Sequence, residues 1–175
     1  SVLENMHVSV ALSLLSQPGC DVLETFSAGQ RRSTRSLCIS MILETDMANH
    51  MSGLWSLERE LLSASPTGEF RTTTYSTFSS TYYVNTLSLL LNECDLSKPS
   101  KPWDTYNRWT GLVMEEFFTQ SATEQKLNIP ITLPLRETCQ LDQFQIGFIR
   151  FIRPFFVCLD DIPNISMDVQ IENLN

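Results

Sequence analysis

The sequence predicts an all-α protein, and three observations carry that expectation. Apolar residues recur at three- and four-residue steps over long stretches. The stretches are separated by Pro, Gly and Ser/Thr clusters, which end helices and make turns. Of 175 residues, 42% are hydrophobic and 18% charged, enough to bury a core and too apolar for a disordered chain. There is no internal repeat, heptad run or Gly-rich phosphate loop.

Leu3, His7, Val10/Ala11 and Leu14 keep a helical period until Pro18-Gly19 ends it. Asp21 to Phe26 reads as a short helix or turn. Ser27 with Gln30 three residues on has the capping-box pattern. The helix it opens is expected to be long, with Leu37, Met41, Thr45/Ala48, Met51/Trp55 and Leu62 on one face and a bend near Gly53. Residues 63 to 81 are rich in Ser and Thr and read as a loop. Tyr83 to Leu96 forms the next helix. Pro99 and Pro102 turn the chain, and Ser100 is placed to cap the helix after them. Trp103 to Leu127 reads as an amphipathic helix with Tyr106, Trp109/Thr110, Val113 and Phe117 inward. An extended connection with Pro130 and Pro134 leads to a last long helix from about Thr138 to Leu159, in which Pro154 removes one backbone bond and is expected to kink the axis. The tail after Pro163 has no legible period.

Composition excludes some function classes. A net charge of -8 disfavours a nucleic-acid polymer as partner. No apolar run is long enough to span a membrane, and no signal peptide is visible. Cys20, Cys38, Cys94, Cys139 and Cys158 lack Cys-x-x-Cys spacing and read as free thiols of a cytoplasmic protein.

Two polar residues fall on apolar stripes. Val84, Leu87 and Leu91 lead at helical spacing to Asp95, and Leu141, Phe148, Ile152 and Phe155 share their stripe with Gln145. An inward carboxylate or amide is costly unless donors or a cation meet it, so this pair points to a pocket. Read from the residues alone, Asp95 could equally cap the turn after it, and Gln145 could be satisfied by neighbouring backbone.

Leu3-Glu4-Asn5, Thr45-Asp46-Met47, Cys94-Asp95-Leu96-Ser97, Trp109-Thr110, Glu115-Glu116-Phe117-Phe118 and Gln145-Ile146-Gly147-Phe148 occur in this order. Together they resemble the catalytic domain of class I cyclic nucleotide phosphodiesterases. The resemblance implies a multi-helix fold of the HD type and hydrolysis of 3′,5′-cyclic nucleotides, cAMP and/or cGMP, to 5′-nucleoside monophosphates in signal transduction. It also implies two divalent metal ions, Zn with Mg or Mn, which neutralise phosphate oxygens and activate water. Asp95 matches a metal ligand, Gln145 the residue that hydrogen-bonds the purine, and Phe148 the aromatic that stacks on it. Ile146 and Leu112 would wall the pocket. Glu4, Thr45 and Asp46 match residues around the water network beside the metals, although Glu4 could be a solvated acid and Asp46 could pair with His50 four residues on.

His7 and His50 are the only histidines. His7 lies on the apolar stripe and reads as a core histidine, and neither matches the family's general acid. The chain opens inside a helical pattern, and the family's two upstream histidine-rich motifs do not occur in it. Residues 1–160 are therefore expected to be the C-terminal portion of a catalytic domain incomplete at its N-terminus, followed by a tail over 161–175. On its own such a chain is expected to be inactive. Lys98 stands where the family usually has a residue such as Asn, and Ser121-Ala122 replaces a Gly-Asp pair. The alternative to an enzyme is a truncated or degenerate, non-catalytic helical interaction module. The expected partners are the cyclic nucleotide and, for a full-length protein, a second copy of itself.

Overall fold

Residues 1–65 and 79–175 are described by a computed structural model. Among them the fold is all helical: α1 (Val2–Leu15), α2 (Ala28–Leu43), α3 (His50–Ala64), α4 (Ser80–Asp95), a 3₁₀ turn (Lys98–Ser100), α5 (Trp103–Lys126), α6 (Leu141–Asp160) and α7 (Asp168–Asn173). Most of the Ser/Thr-rich loop expected over 63–81 lies outside the described residues. The chain divides into two compact units, Ser1–Cys94 with Cys158–Ser166, and Asp95–Val157 with Met167–Asn175.

In the first unit α1 packs on α2. The half-buried face of α1 is Glu4, Val8, Ala11/Leu12 and Leu15, one step round from the expected stripe, so His7 is exposed and is no core histidine. Ser27 and Gln30 form the capping box, each side chain meeting the other's backbone. The single long helix expected after Ser27 is two helices. The break at 44–49 has a local cause: Thr45 Oγ1 donates to the Ile42 carbonyl at 2.8 Å, and the Asp46 carboxylate accepts from the Ala48 N–H at 3.0 Å. Side chains that satisfy nearby backbone compete with the helical ladder. After the break α3 buries His50, Leu54, Leu57 and Leu61, while Trp55 and Leu62 are exposed.

Helix α4 meets α3 through polar groups as well as leucines. Asn85 Nδ2 donates to Ser56 Oγ at 3.1 Å. Ser79 accepts from the Tyr82 N–H at 3.1 Å and starts the helix. The buried face is Tyr82, Thr86, Leu89 and Glu93, with Ser88 and Asn92 beside it, and Leu87 is exposed. Of the expected stripe, Leu87 and Asp95 are exposed and Val84 and Leu91 half-buried, and the inward carboxylate is Glu93. Leu87, Leu89, Leu90 and Leu91 cover every face of the helix, so the apolar period could not fix its phase.

Asn92 Nδ2 lies 3.3 Å from the Glu44 carbonyl and 2.6 Å from His50 Nδ1. A carbonyl only accepts, so the amide nitrogen faces it, Nδ1 of His50 accepts, and the neutral ring carries its proton on Nε2. That nitrogen is 3.7 Å from Glu93 Oε1. Burial pushes the Glu93 carboxyl up to about 8 and pulls the His50 imidazole down. The pair sits in the core as two neutral groups, not as a salt bridge.

The second unit is built on the apolar face of α6. Ile152, Phe156 and Leu174 are buried, with Leu96, Phe148, Ile149, Met167 and Ile171 packed against them. The segment after Pro163, without legible period, thus supplies α7 and a core residue. Helix α6 continues through Pro154. Helix α5 starts at Pro102 without a side-chain cap; Ser100 instead donates to the Ser97 carbonyl at 2.8 Å inside the turn. The end of α5 is a Schellman motif: Asn128 takes φ 52°, its N–H bonds the Gln125 carbonyl at 3.2 Å, and Ile129 N–H bonds the Glu124 carbonyl at 3.1 Å. The fully buried Ser121 donates to the Leu133 carbonyl at 2.9 Å and pins the connection to α6.

The neutral Glu93 makes stability depend on pH. A raised folded pKa contributes stability that is full below the unfolded value of 4.5 and is lost as pH rises through about 8. His50, held down, contributes stability that is full above 6.5 and is lost on acidification. The two oppose each other below 6.5, and of the pair only Glu93 contributes a slope from 6.5 to about 8. The unfolding free energy read from urea titrations should therefore fall across that window, with Glu93 contributing at most about 1.4 kcal/mol per pH unit. Glu93→Gln should flatten it; the same slope in both proteins would place the titration elsewhere.

Candidate functional site

The second unit brings together the polar residue on the α6 stripe and a basic residue from the turn before α5. Gln145 is 7% exposed. Its Oε1 accepts from Lys98 Nζ at 3.0 Å and from the Tyr106 hydroxyl at 3.1 Å. Its Nε2 has only a thioether as acceptor, Met114 Sδ at 3.5 Å. An ammonium is donor only, so the oxygen of the amide must face Lys98, and the orientation of Gln145 is fixed.

Lys98 opens the 3₁₀ turn Lys98–Ser100, which contains Pro99 and follows α4 in the chain. The turn is tied down by Asn173 of α7, whose Nδ2 donates to the Ser100 carbonyl at 2.9 Å. The Lys98 ammonium lies 5.4 Å from the centroid of the Tyr106 ring and 5.7 Å from that of Phe148. Partial burial holds its pKa below the ordinary lysine value. Phe148, three residues after Gln145, is half-buried on the same face of α6. Phe117 and Phe144 meet edge to face at 6.3 Å and set α5 against α6 nearby in sequence. A concavity of about 500 Å³ runs along α5 past Glu116, Gln120 and Thr123, and neither Gln145 nor Phe148 lines it.

The other residues singled out in the sequence fall elsewhere. Asp95 is exposed at the end of α4, not buried. Ile146 and Leu112, expected as pocket wall, are exposed. Glu4, Thr45 and Asp46 belong to the first unit. There Asp46 accepts from the Ala48 N–H at 3.0 Å and from the Ser1 hydroxyl at 2.7 Å, which, with the Ser1 amino group, hold its carboxyl down to about 2. Glu4 is half-buried, 3.9 Å from the same amino group, so Glu4 and Asp46 converge on Ser1. His50 is buried against Asn92 and Glu93 and is no surface partner of Asp46. Among the described residues no three His, Cys, Asp or Glu side chains are placed to hold a metal ion. Asp95 by itself does not constitute a binuclear centre, and the residues present do not fit one.

Tyr106 and Met114 were not legible as site residues, and Lys98 only as a departure. The one signal was the basic side chain directly after Asp95-Leu96-Ser97, with an aromatic eight residues on.

The sequence pattern of the 3′5′-cyclic nucleotide phosphodiesterase family matches residues 1–174. The chain belongs to that family. Over 156 residues it is 36% identical to a fruit-fly (Drosophila melanogaster) protein, 3′,5′-cyclic-AMP phosphodiesterase isoform F, covering 87% of this chain and 23% of the relative. It is equally identical over the same length to mouse (Mus musculus) 3′,5′-cyclic-AMP phosphodiesterase 4C, covering 87% of this chain and 22% of the relative. The crystal structure of the phosphodiesterase domain of the rhodopsin phosphodiesterase fusion protein from the choanoflagellate Salpingoeca rosetta superposes with a TM-score of 0.82 at 29% identity, covering 99% of this chain and 53% of that one. The chain thus spans about a quarter of these curated relatives and about half of the solved phosphodiesterase domain. The all-helical fold is that of the family. No helix among the described residues is long and apolar enough to cross a membrane.

The shared acceptor on Gln145 gives a stability test. Tyr106→Phe removes one donor and should cost about 1 kcal/mol of unfolding free energy. Gln145→Leu strands both donors and should cost about 1–3 kcal/mol. Urea unfolding of the two variants checks the order; equal costs would mean that Lys98 and Tyr106 do not depend on this amide.

Proposed function

We propose that this chain supplies the base-recognition part of a catalytic domain that hydrolyses 3′,5′-cyclic nucleotides, cAMP and/or cGMP, to 5′-nucleoside monophosphates in signalling. The observation that carries the reading is Gln145, a buried amide of fixed orientation one helical turn from Phe148 on the same face. A purine needs an in-plane hydrogen-bonding group and a flat apolar surface, and these two side chains offer both. Stacking on such a ring is worth about 1–3 kcal/mol per base. Membership of the family supports the reaction class.

Asp95 is the one residue of the chain proposed as a metal ligand, with Glu4, Thr45 and Asp46 beside the water network. Divalent ions, Zn with Mg or Mn, supply Lewis acidity toward the phosphate in such chemistry. The described residues alone do not form that centre, so this chain accounts for the base end of the substrate and not for the attack on phosphorus. The rival reading, a non-catalytic helical interaction module, draws support from Trp109 and Leu112, both exposed on α5.

The chain alone is accordingly expected not to turn over cyclic nucleotides in Zn²⁺, Mg²⁺ or Mn²⁺; hydrolysis above a metal-only blank would overturn this. Asp95 is exposed, so Asp95→Ala should leave stability within about 0.5 kcal/mol, while abolishing activity and lowering metal content in a complete domain. Activity within a few-fold of wild type would remove Asp95 from the metal site. In the same domain Gln145→Ala and Phe148→Ala should raise KM at nearly constant kcat, by about 1–3 kcal/mol each, because base contacts persist from ground state to transition state. Steady-state kinetics decide it: unchanged KM with a large loss of stability would make both residues core alone.

A further inference from the structure

We propose that Lys98 is a specificity-determining residue that makes this site select a 6-oxopurine, the guanine class of cyclic nucleotide, over a 6-aminopurine. The inference rests on the reading of Gln145 and Phe148 as the base site.

What matters is which hydrogen-bonding capacity is left beside the Phe148 ring. Gln145 Oε1 is used twice, by Lys98 and by Tyr106. The acceptor side of the amide is therefore committed. Its Nε2 faces only a weak sulfur acceptor, Met114 Sδ. Lys98 has three N–H donors and no acceptor, and one donor goes to Gln145. Lys98 Nζ and Gln145 Nε2 both have donors to spare, while the Tyr106 oxygen, whose proton goes to Gln145, keeps acceptor capacity.

An amide alone could serve either purine by turning over. The ammonium removes that freedom, because turning Gln145 would set its NH₂ against Lys98. Guanine presents two acceptors on one edge, O6 and N7, the pattern that a lysine reads in nucleic acids. Adenine presents N7 but places the N6 amino group where O6 would be. That donor would face the donors of Lys98 and Gln145 and lose its partner on leaving water, which costs more than a missing contact. Hypoxanthine has O6 and N7 without the 2-amino group, so it should follow guanine if the discrimination lies at position 6.

The test is binding of cyclic GMP, cyclic IMP and cyclic AMP to the full chain, by isothermal titration and by ¹⁵N shift titration for weak ligands. Cyclic GMP and cyclic IMP should bind at least about ten-fold tighter than cyclic AMP. Lys98→Asn, which restores an acceptor and frees Gln145 to turn, should bring the three within about three-fold. Lys98→Arg keeps a donor-only cation and should keep the preference, and circular dichroism should show both variants folded. Equal or tighter binding of cyclic AMP to wild type would overturn the inference. So would a Lys98→Asn variant that gains affinity for all three nucleotides with the ratio unchanged, the result if Lys98 only fills the pocket. Binding that Gln145→Ala abolishes, but without preference, would overturn the role of Lys98 and leave the base site standing. Binding of none of the three would overturn the base site itself, and this inference with it.

Discussion

One buried carbonyl oxygen, Oε1 of Gln145, ties three elements of the second unit together. Lys98 brings the 3₁₀ turn to it, Tyr106 brings α5, and Gln145 itself stands on α6. Apolar burial of Ile152, Phe156 and Leu174 drives the packing, but burial has no direction and leaves sliding and rotation cheap. A charge-assisted bond and a phenol bond to one atom do have direction. They fix how α6 is rotated toward α5, and so where Phe148 points. The same bonds that hold the fold thus decide which face of the amide is left for a ligand.

The existence of the helices was legible in the sequence; their rotation often was not. In residues 141–159 Leu141, Phe148, Ile152 and Phe155 share a stripe with Gln145, so Gln145 reads as inward and is buried, although Ile146, Phe151 and Val157 on other faces are exposed. In α4 Leu87, Leu89, Leu90 and Leu91 permit several stripes, and the stripe that would put Asp95 inside is off by about half a turn. The polar residues that do lie inside, Asn92 and Glu93, are held by His50, forty-odd residues earlier in the chain. No local pattern reveals that. The break between α2 and α3 was hidden in another way, since Thr45, Asp46 and Asn49 interrupt an apolar period that continues across them.

For the candidate site, the residues on one helix were readable and those brought in by the fold were not. Gln145 and Phe148 share a face by spacing alone. Lys98 and Tyr106 stand 47 and 39 residues from Gln145. Lys98 showed itself only as a departure at a position that usually carries a residue such as Asn, and its consequence, a fixed amide, emerges only in the folded chain. Tyr106 was expected inward for its apolar ring, and its hydroxyl turns out to matter as much.

Two carboxylates two residues apart in α4 show what burial does to function. Glu93 lies in the core, where desolvation raises its pKa to about 8 and leaves it neutral beside a neutral His50. A neutral acid is a poor ligand for a cation, whatever its position in the chain. Asp95, exposed where the helix ends, can be reached by an ion. Lys98 makes the complementary point. It is half-buried among aromatic rings yet has an oxygen to hold it, and its remaining donors can only be met by acceptors. Burial has silenced one charged group, left a second open to solvent and aimed a third. In the proposed base site the last would distinguish a purine with an oxygen at position 6 from one with an amine.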